Sequence, residues 1–266
     1  MRVTAEGAEA DEQTVDCEAS NGVGTRIGLL VLAVKAYAAR SALEGVRMRL
    51  HESSAVILLC NGALAVADDL PRDTPLLVAT TTHGAWARGP RDVHHAGRGT
   101  TWIGALPGGE SGGAREAARS HFALHGLGAL EESPALTERR LWLKLAANVV
   151  LNPLTALWDC QNGEVLRRSE GRAAAQEVCA EVAAVAASLA QHPAPSAAEL
   201  VDFVHACAAE NADNFSSMCM DVRAGRRTEI HELNGWIVRK AQALGLAGGA
   251  PACARLVEAI LARSPG

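Results

Sequence analysis

Lysine is scarce in this chain. Of 25 basic residues among 266, only three are lysines: Lys35, Lys144 and Lys240. Arginine serves wherever a surface positive charge suffices, so each lysine hints at a place where arginine would not do. A basic stripe is also lacking. The net charge is −5, the pI about 6.0, and arginines are interspersed with acids, which excludes nucleic-acid binding as the main job. Long apolar runs are lacking too: Ile27 to Val34 is the longest, far short of a bilayer, so no membrane association is expected. The N-terminus (MRVTAEGAEADEQ) is acidic and has no apolar core, so it does not read as a secretory signal. The seven cysteines include no CxxC and no Cys/His pairs at zinc spacing. They read as reduced, mostly buried thiols in a cytoplasmic setting, with no metal site.

What is present is an ordinary globular balance, 48% hydrophobic and 21% charged, enough to bury a core. The length allows one or two domains at about 150 residues each. The pattern divides in two. IGLLVLAV (27–34) reads as a strand buried on both faces, SALEGVRMRL (41–50) as a helix, AVILLC (55–60) and PLLVATTT (75–82) as further strands. DVHHA and TTWIG (92–96, 100–104) read as an antiparallel pair around Gly97-Arg98-Gly99. GALPGGESGGA (104–114) reads as an exposed connection, after which the strand signals stop.

Ser133-Pro134 then opens a helix through RRLWLKLAANVVL, Arg172 to Gln191 is Ala-rich and helical, and Ser196-Ala-Ala-Glu199 is a capping box. EIHELNGWIVRKAQALG, after Thr228, reads as one helix with Glu229 as a first-turn charge. An α/β half followed by a helical half points to a nucleotide-binding domain and a substrate domain.

Lys144, Asn148 and Asn152 are spaced i, i+4, i+8, which sets a polar stripe on an otherwise Leu-, Val- and Ala-rich helix. Asparagine disfavours helices, and the chain holds eight. The stripe is either a solvated face or a proton-donating lysine with amide clamps for a polar substrate. Lysine can release a proton to a developing alkoxide, which arginine effectively cannot. Asn214-Phe-Ser-Ser217 is by default a cap or turn. Lys35 and Asn61 follow buried strands, where parallel sheets place ligand contacts. Two patterns are rejected. Gly109-Glu-Ser111-Gly-Gly113 matches GxSxG but lies in the glycine-rich connection. Gly22-Val-Gly24-Thr-Arg-Ile-Gly28 has the wrong spacing for GxGxxG and precedes a strand.

Together these residues resemble the ketopantoate reductase (2-dehydropantoate 2-reductase) family. The resemblance is carried by Lys144-LAA-Asn148-VVL-Asn152-PLTALW and by Asn162-Gly-Glu-Val-Leu. It continues in Asn214-FSSM-CM-Asp221-V-Arg223-AGR-Arg227-Thr228-Glu229-IHEL-Asn234-Gly235. VLAV-Lys35-AY, LLC-Asn61-Gly62 and TTTHGA (80–85) extend it upstream, so that it runs from about residue 27 to the C-terminus. It implies a Rossmann-like NADP-binding domain over 1–130, truncated at its N-terminus because no GxGxxG unit occurs. A helical substrate domain of the 6-phosphogluconate dehydrogenase C-terminal type follows over 131–266.

The implied activity is NADPH-dependent reduction of ketopantoate to pantoate, towards pantothenate and coenzyme A, in a possible homodimer. Lys144 would be the general acid, and Glu229 would help orient it from the cofactor side. Asn148, Asn152, Asn162, Asn214 and Ser217 would bind substrate, and Lys35, Asn61, Ala85 and Glu229 the cofactor. Two alternatives stay open at this point: a reductase of another 2-oxo acid, and a non-catalytic remnant acting as a helical binding or dimerisation module.

Overall fold

A computed structural model describes residues 2–5, 11–12, 25–70, 76–89, 92–97, 99–106 and 129–264. Most of the 104–114 connection, with its GxSxG pattern, and residues 22–24 lie outside the described residues. The chain forms two compact units. One comprises residues 1–34, 38–60 and 71–137, the other 35–37, 61–70 and 138–266.

The first unit is built on a five-stranded sheet. Its strands are β3 (Ile27–Leu32), β4 (Leu50–Leu58), β5 (Leu76–Thr81), β8 (Thr101–Ala105) and β9 (Ala129–Glu131), side by side in the order β3-β4-β5-β8-β9. β3, β4 and β5 run parallel, as a Rossmann-like domain requires, and β8 returns antiparallel to β5. Helix α1 (Ala39–Val46) connects β3 to β4. Ile57, Leu77, Ala79, Ile103 and Ala105 form the core of this sheet. β3 is not buried on both faces as its apolar run suggests. It pairs only with β4 among the described residues, and only Leu32 of its side chains is buried.

A second sheet, ordered β2-β1-β7-β6, holds β1 (Arg2–Ala5), β2 (Asp11–Glu12), β6 (Gly84–Gly89) and β7 (Asp92–Gly97). The expected pairing of 92–96 with 100–104 does not form. β7 pairs antiparallel with β6 and parallel with β1, while β8 pairs with β5. The cause is local. A Cβ at Gly99 would overlap the Thr82 backbone, so the bare glycine lets the chain press onto the end of β5. There Thr82 N–H donates to the Thr100 carbonyl (3.0 Å) and Thr100 N–H donates to Thr82 Oγ1 (2.9 Å). β9 is a strand that the sequence pattern did not announce.

The second unit is helical. Two helices precede its main run or open it: α2 (Ala63–Asp69) and α3 (Pro134–Trp158), the latter entering this unit at Glu138. They are followed by α4 (Asn162–Arg167), α5 (Ser169–Leu189), α6 (Ala197–Glu210), α7 (Ser217–Arg223), α8 (Asn234–Ala243) and α9 (Pro251–Leu261). α3 is apolar nearly all round, which suits a helix enclosed by others. Among the described residues it alone is long and apolar enough to cross a membrane, but 72% of its apolar window is buried. The capping box forms as the sequence indicates: Glu199 N–H donates to Ser196 Oγ (3.3 Å), and Ser196 N–H to Glu199 Oε2 (2.8 Å).

Helix α8 starts at Asn234, not at Glu229. Residues 229–233 instead turn back on themselves, with Leu233 N–H on the Glu229 carbonyl (3.0 Å) and Gly235 N–H on the Ile230 carbonyl (2.9 Å). Glu229 is therefore a buried turn carboxylate and not a solvated first-turn charge.

Candidate active site

Pro153 sits inside α3, where it has no N–H to give to the carbonyl of Val149. The Asn234 side-chain amide, wholly buried, donates to that carbonyl at 2.9 Å. The helix thus continues through the proline and carries the polar stripe intact. Along it, Lys144 and Asn148 are half-buried and Asn152 is buried. Lys144 also lies close enough to Cys207 on α6 for its charge to act on that thiol. The thiol is pushed up to about 11, by burial first and Glu210 second, against the pull of Lys144.

One turn further on, Thr155 ties α3 to the start of α7. Thr155 Oγ1 donates to the Leu151 carbonyl (2.8 Å) and lies 2.6 Å from Ser216 Oγ, which in turn accepts from Cys219 N–H (3.0 Å). Ser216 is thus the buried cap of α7, and Ser217 stands exposed at its first turn. Asn214 is exposed beside them. Asn162 is committed differently from a simple clamp. Its amide donates to the Asn211 carbonyl (3.1 Å) and its N–H to the Asn214 carbonyl (2.9 Å), so it docks α4 on the loop that presents Asn214. Its buried Oδ1 keeps no hydrogen-bond partner.

A second cluster forms around Glu229, which is 4% exposed. Oε1 accepts from Ala36 N–H (2.8 Å), and Oε2 accepts from Asn61 Nδ2 (3.3 Å) and lies 3.6 Å from Lys35 Nζ. Lys35 Nζ donates to Asp221 Oδ2 at 2.6 Å. Burial works against the Lys35 charge. The Asp221 hydrogen bond and the charges of Glu229, Asp221 and Tyr37 outweigh it and hold the ammonium above its ordinary range. Tyr37 lies under Arg227, 4.3 Å from guanidinium to ring centre. Gly62, at φ +62°, makes the left-handed turn that lets Asn61 precede α2. A Cβ there would press on the Glu232 carbonyl at 3.2 Å.

The structure thus brings Lys35, Asn61 and Glu229 together. It sets Lys144, Asn148 and Asn152 on one helix and Asn214 and Ser217 on one loop and helix start. Ala85 stands on β6 in the first unit, exposed and opposite His95. Asp221 belongs to the Glu229 cluster although no role was read for it. Its place in the D-x-R spacing was the available signal.

The pattern of known families decides what this arrangement belongs to. A family model described as ketopantoate reductase PanE/ApbA matches residues 1–108, and one described as ketopantoate reductase PanE/ApbA C terminal matches residues 137–264. The chain is a member of the ketopantoate reductase family.

The family match reaches residue 1, upstream of residue 27 where the quoted motifs begin. The 2-dehydropantoate 2-reductase of Shigella flexneri is 34% identical over 87% of this chain and 73% of its own length. Among solved structures, the PanE/ApbA family ketopantoate reductase of Ralstonia eutropha JMP134 matches with a TM-score of 0.81 at 25% identity. That match covers 98% of this chain and 83% of the other. D-mandelate dehydrogenase, solved with NADH and anilino(oxo)acetate, shares the fold with a TM-score of 0.85 at 22% identity. It covers 99% of this chain and 84% of its own.

Proposed function

We propose that the chain is a 2-dehydropantoate 2-reductase that reduces ketopantoate to pantoate with NADPH, a cytoplasmic step towards pantothenate and coenzyme A. The observation that carries this reading is the Lys144–Asn148–Asn152 stripe on the single helix α3. Family membership and 34% identity to a curated 2-dehydropantoate 2-reductase supply the substrate.

The residues present fit the nicotinamide and ribose end of a pyridine nucleotide. An ammonium carries three N–H donors, of which Lys35 gives one to Asp221, while Glu229 stands by as a 3.6 Å ion pair. Asn61 spends one amide N–H on Glu229 and keeps its Oδ1, an acceptor suited to a carboxamide. In this reading Lys35, Asn61 and Glu229, all in the second unit, hold the cofactor. A GxGxxG turn does not occur in the sequence, so no residue is assigned to the pyrophosphate. Residues 1–130 are taken as the cofactor-binding part and 131–266 as the substrate-binding part.

When bound, the nicotinamide supplies the hydride. Lys144 supplies the proton, from Nζ to the oxygen that becomes the hydroxyl. Asn148 and Asn152 hold the 2-oxo acid beside Lys144 through amide donors and acceptors. Asn214 and Ser217 reach its hydroxyl and carboxylate, and Asn162 fixes the loop that bears Asn214. Glu229 helps orient Lys144 from the cofactor side. Homodimerisation belongs to the same reading and rests on the family resemblance.

The test is ketopantoate-dependent loss of NADPH absorbance by the purified chain, with NADPH binding by calorimetry alongside. Turnover with saturable binding supports the reading. A folded chain that neither binds NADPH nor reduces ketopantoate overturns it.

A further inference from the structure

Asp221 is 3% exposed and has both carboxylate oxygens on cations. Oδ2 takes Lys35 Nζ at 2.6 Å, and Oδ1 takes Arg226 at 2.9 Å. Arg226 is itself fixed: its N–H donates to the Asp221 carbonyl (2.8 Å), its Nη2 to the Met220 carbonyl (3.3 Å), and its own carbonyl accepts from Ser264 (3.1 Å). Asp221 rides on α7, whose cap Ser216 contacts Thr155 of α3. The carboxylate is therefore held from behind by Arg226 and acts forward on Lys35. A buried ion pair is commonly only structural. Here the choice of cation argues otherwise. All but three of the 25 basic residues are arginine, and arginine forks onto a carboxylate with two N–H groups. An ammonium instead spends one N–H on Asp221 at 2.6 Å, stands 3.6 Å from the Glu229 carboxylate as an ion pair, and keeps its other N–H groups for a further acceptor.

We propose that Asp221 is a positioning residue for the reduction: by holding the Lys35 ammonium beside Glu229, it presents the remaining N–H groups to a ribose hydroxyl of the bound nucleotide. The inference rests on the chain being an NADPH-dependent reductase. Because this contact is made equally before and during hydride transfer, losing it raises KM and spares kcat.

The test is Asp221→Asn, read in two ways. The first needs no cofactor. With three lysines in the chain, ¹³Cε-lysine labelling gives three resonances, assigned by single Lys→Arg variants. Around Lys35 the ionisable groups are Asp221, Glu229 and Tyr37, with Arg226 behind Asp221. Asp221→Asn removes a hydrogen bond and a charge that favour the ammonium, so the Lys35 signal titrates at lower pH while Lys144 and Lys240 stay put.

The second readout is kinetic. KM for NADPH rises about tenfold or more, with kcat within about threefold. An unmoved Lys35 titration with an unchanged KM in an active, folded variant overturns the inference alone. A wild-type chain that does not oxidise NADPH overturns the reductase reading, and this inference with it. Should Asp221→Asn fail to fold, Lys35→Met is compared with Lys35→Met/Asp221→Asn. Equal NADPH KM in the two shows that Asp221 acts through Lys35. A further rise in the double variant shows that it does not.

Discussion

Asn234 does for Val149 what Pro153 cannot: its amide donates, at 2.9 Å, to the carbonyl that the proline leaves without a helical partner. A buried carbonyl left unpaired costs about 1–3 kcal/mol. Asn234→Ala should therefore lower stability by that amount in urea denaturation. In a Pro153→Ala background the new backbone N–H can serve Val149, and the same substitution should cost less than about 1 kcal/mol. Equal costs in both backgrounds would show that the two residues are not coupled.

Lys144 is assigned the proton transfer. Lys144→Ala should lower kcat by roughly two to four orders of magnitude, the usual contribution of a general acid. The melting temperature should change little, since the side chain is only half-buried. A loss smaller than about tenfold would sink the assignment.

Two glycines should respond in opposite directions. A Cβ at Gly171 would overlap the Val165 carbonyl oxygen, which is backbone and cannot rotate away. Gly171→Ala should cost about 1–3 kcal/mol. Gly45 lies in α1 with nothing within 4 Å of an added Cβ, so Gly45→Ala should gain about 0.5–1 kcal/mol from helix propensity. Chemical denaturation of both variants checks the pair.

Acid should release the α6 cap. The Ser196 backbone N–H, then Arg139 and the Ser196 hydroxyl, pull the Glu199 carboxyl from its usual 4.5 down to about 2. A carboxyl lowered in the folded state stabilises it fully above pH 4.5, and that contribution fades as pH falls towards 2. Glu199→Gln should lower the melting temperature near neutral pH, and its difference from wild type should shrink across that acid window. The group is exposed, so added salt should weaken the effect. A difference independent of pH would exclude the carboxylate as its source.

Helical spacing alone made the Lys144 stripe legible, because a helix fixes which residues share a face without reference to the rest of the chain. The Ser196–Glu199 cap was legible for the same reason: both partners lie within one turn. Strand partners were not. Residues 92–96 and 100–104 are each convincing strands, but alternation does not say which strand a strand pairs with, and the close approach of Gly99 to the Thr82 backbone, which goes with the β5–β8 pairing, is a long-range contact. The start of α8 was misread because Ile230 and Leu233 keep helical spacing in a stretch whose hydrogen bonds make turns. Asp221 went without a role because its partner Lys35 lies 186 residues away. The family's motifs set Lys35, Asn61 and Glu229 in order along the sequence but carry no information on which of them touch.

The helical unit is assembled from three separated stretches, 35–37, 61–70 and 138–266. It cannot be excised as one contiguous fragment. A polypeptide beginning at Glu138 would carry Glu229 without Ala36 and Asn61, Asp221 without Lys35, and Lys240 without Asp68, to which it donates at 2.8 Å. Buried Glu229 would lose its N–H and cationic partners, and buried Asp221 would lose one of its two cations while keeping Arg226. Attempts to study substrate recognition on the C-terminal half alone should therefore start from a permuted or fused chain that restores the two short upstream pieces.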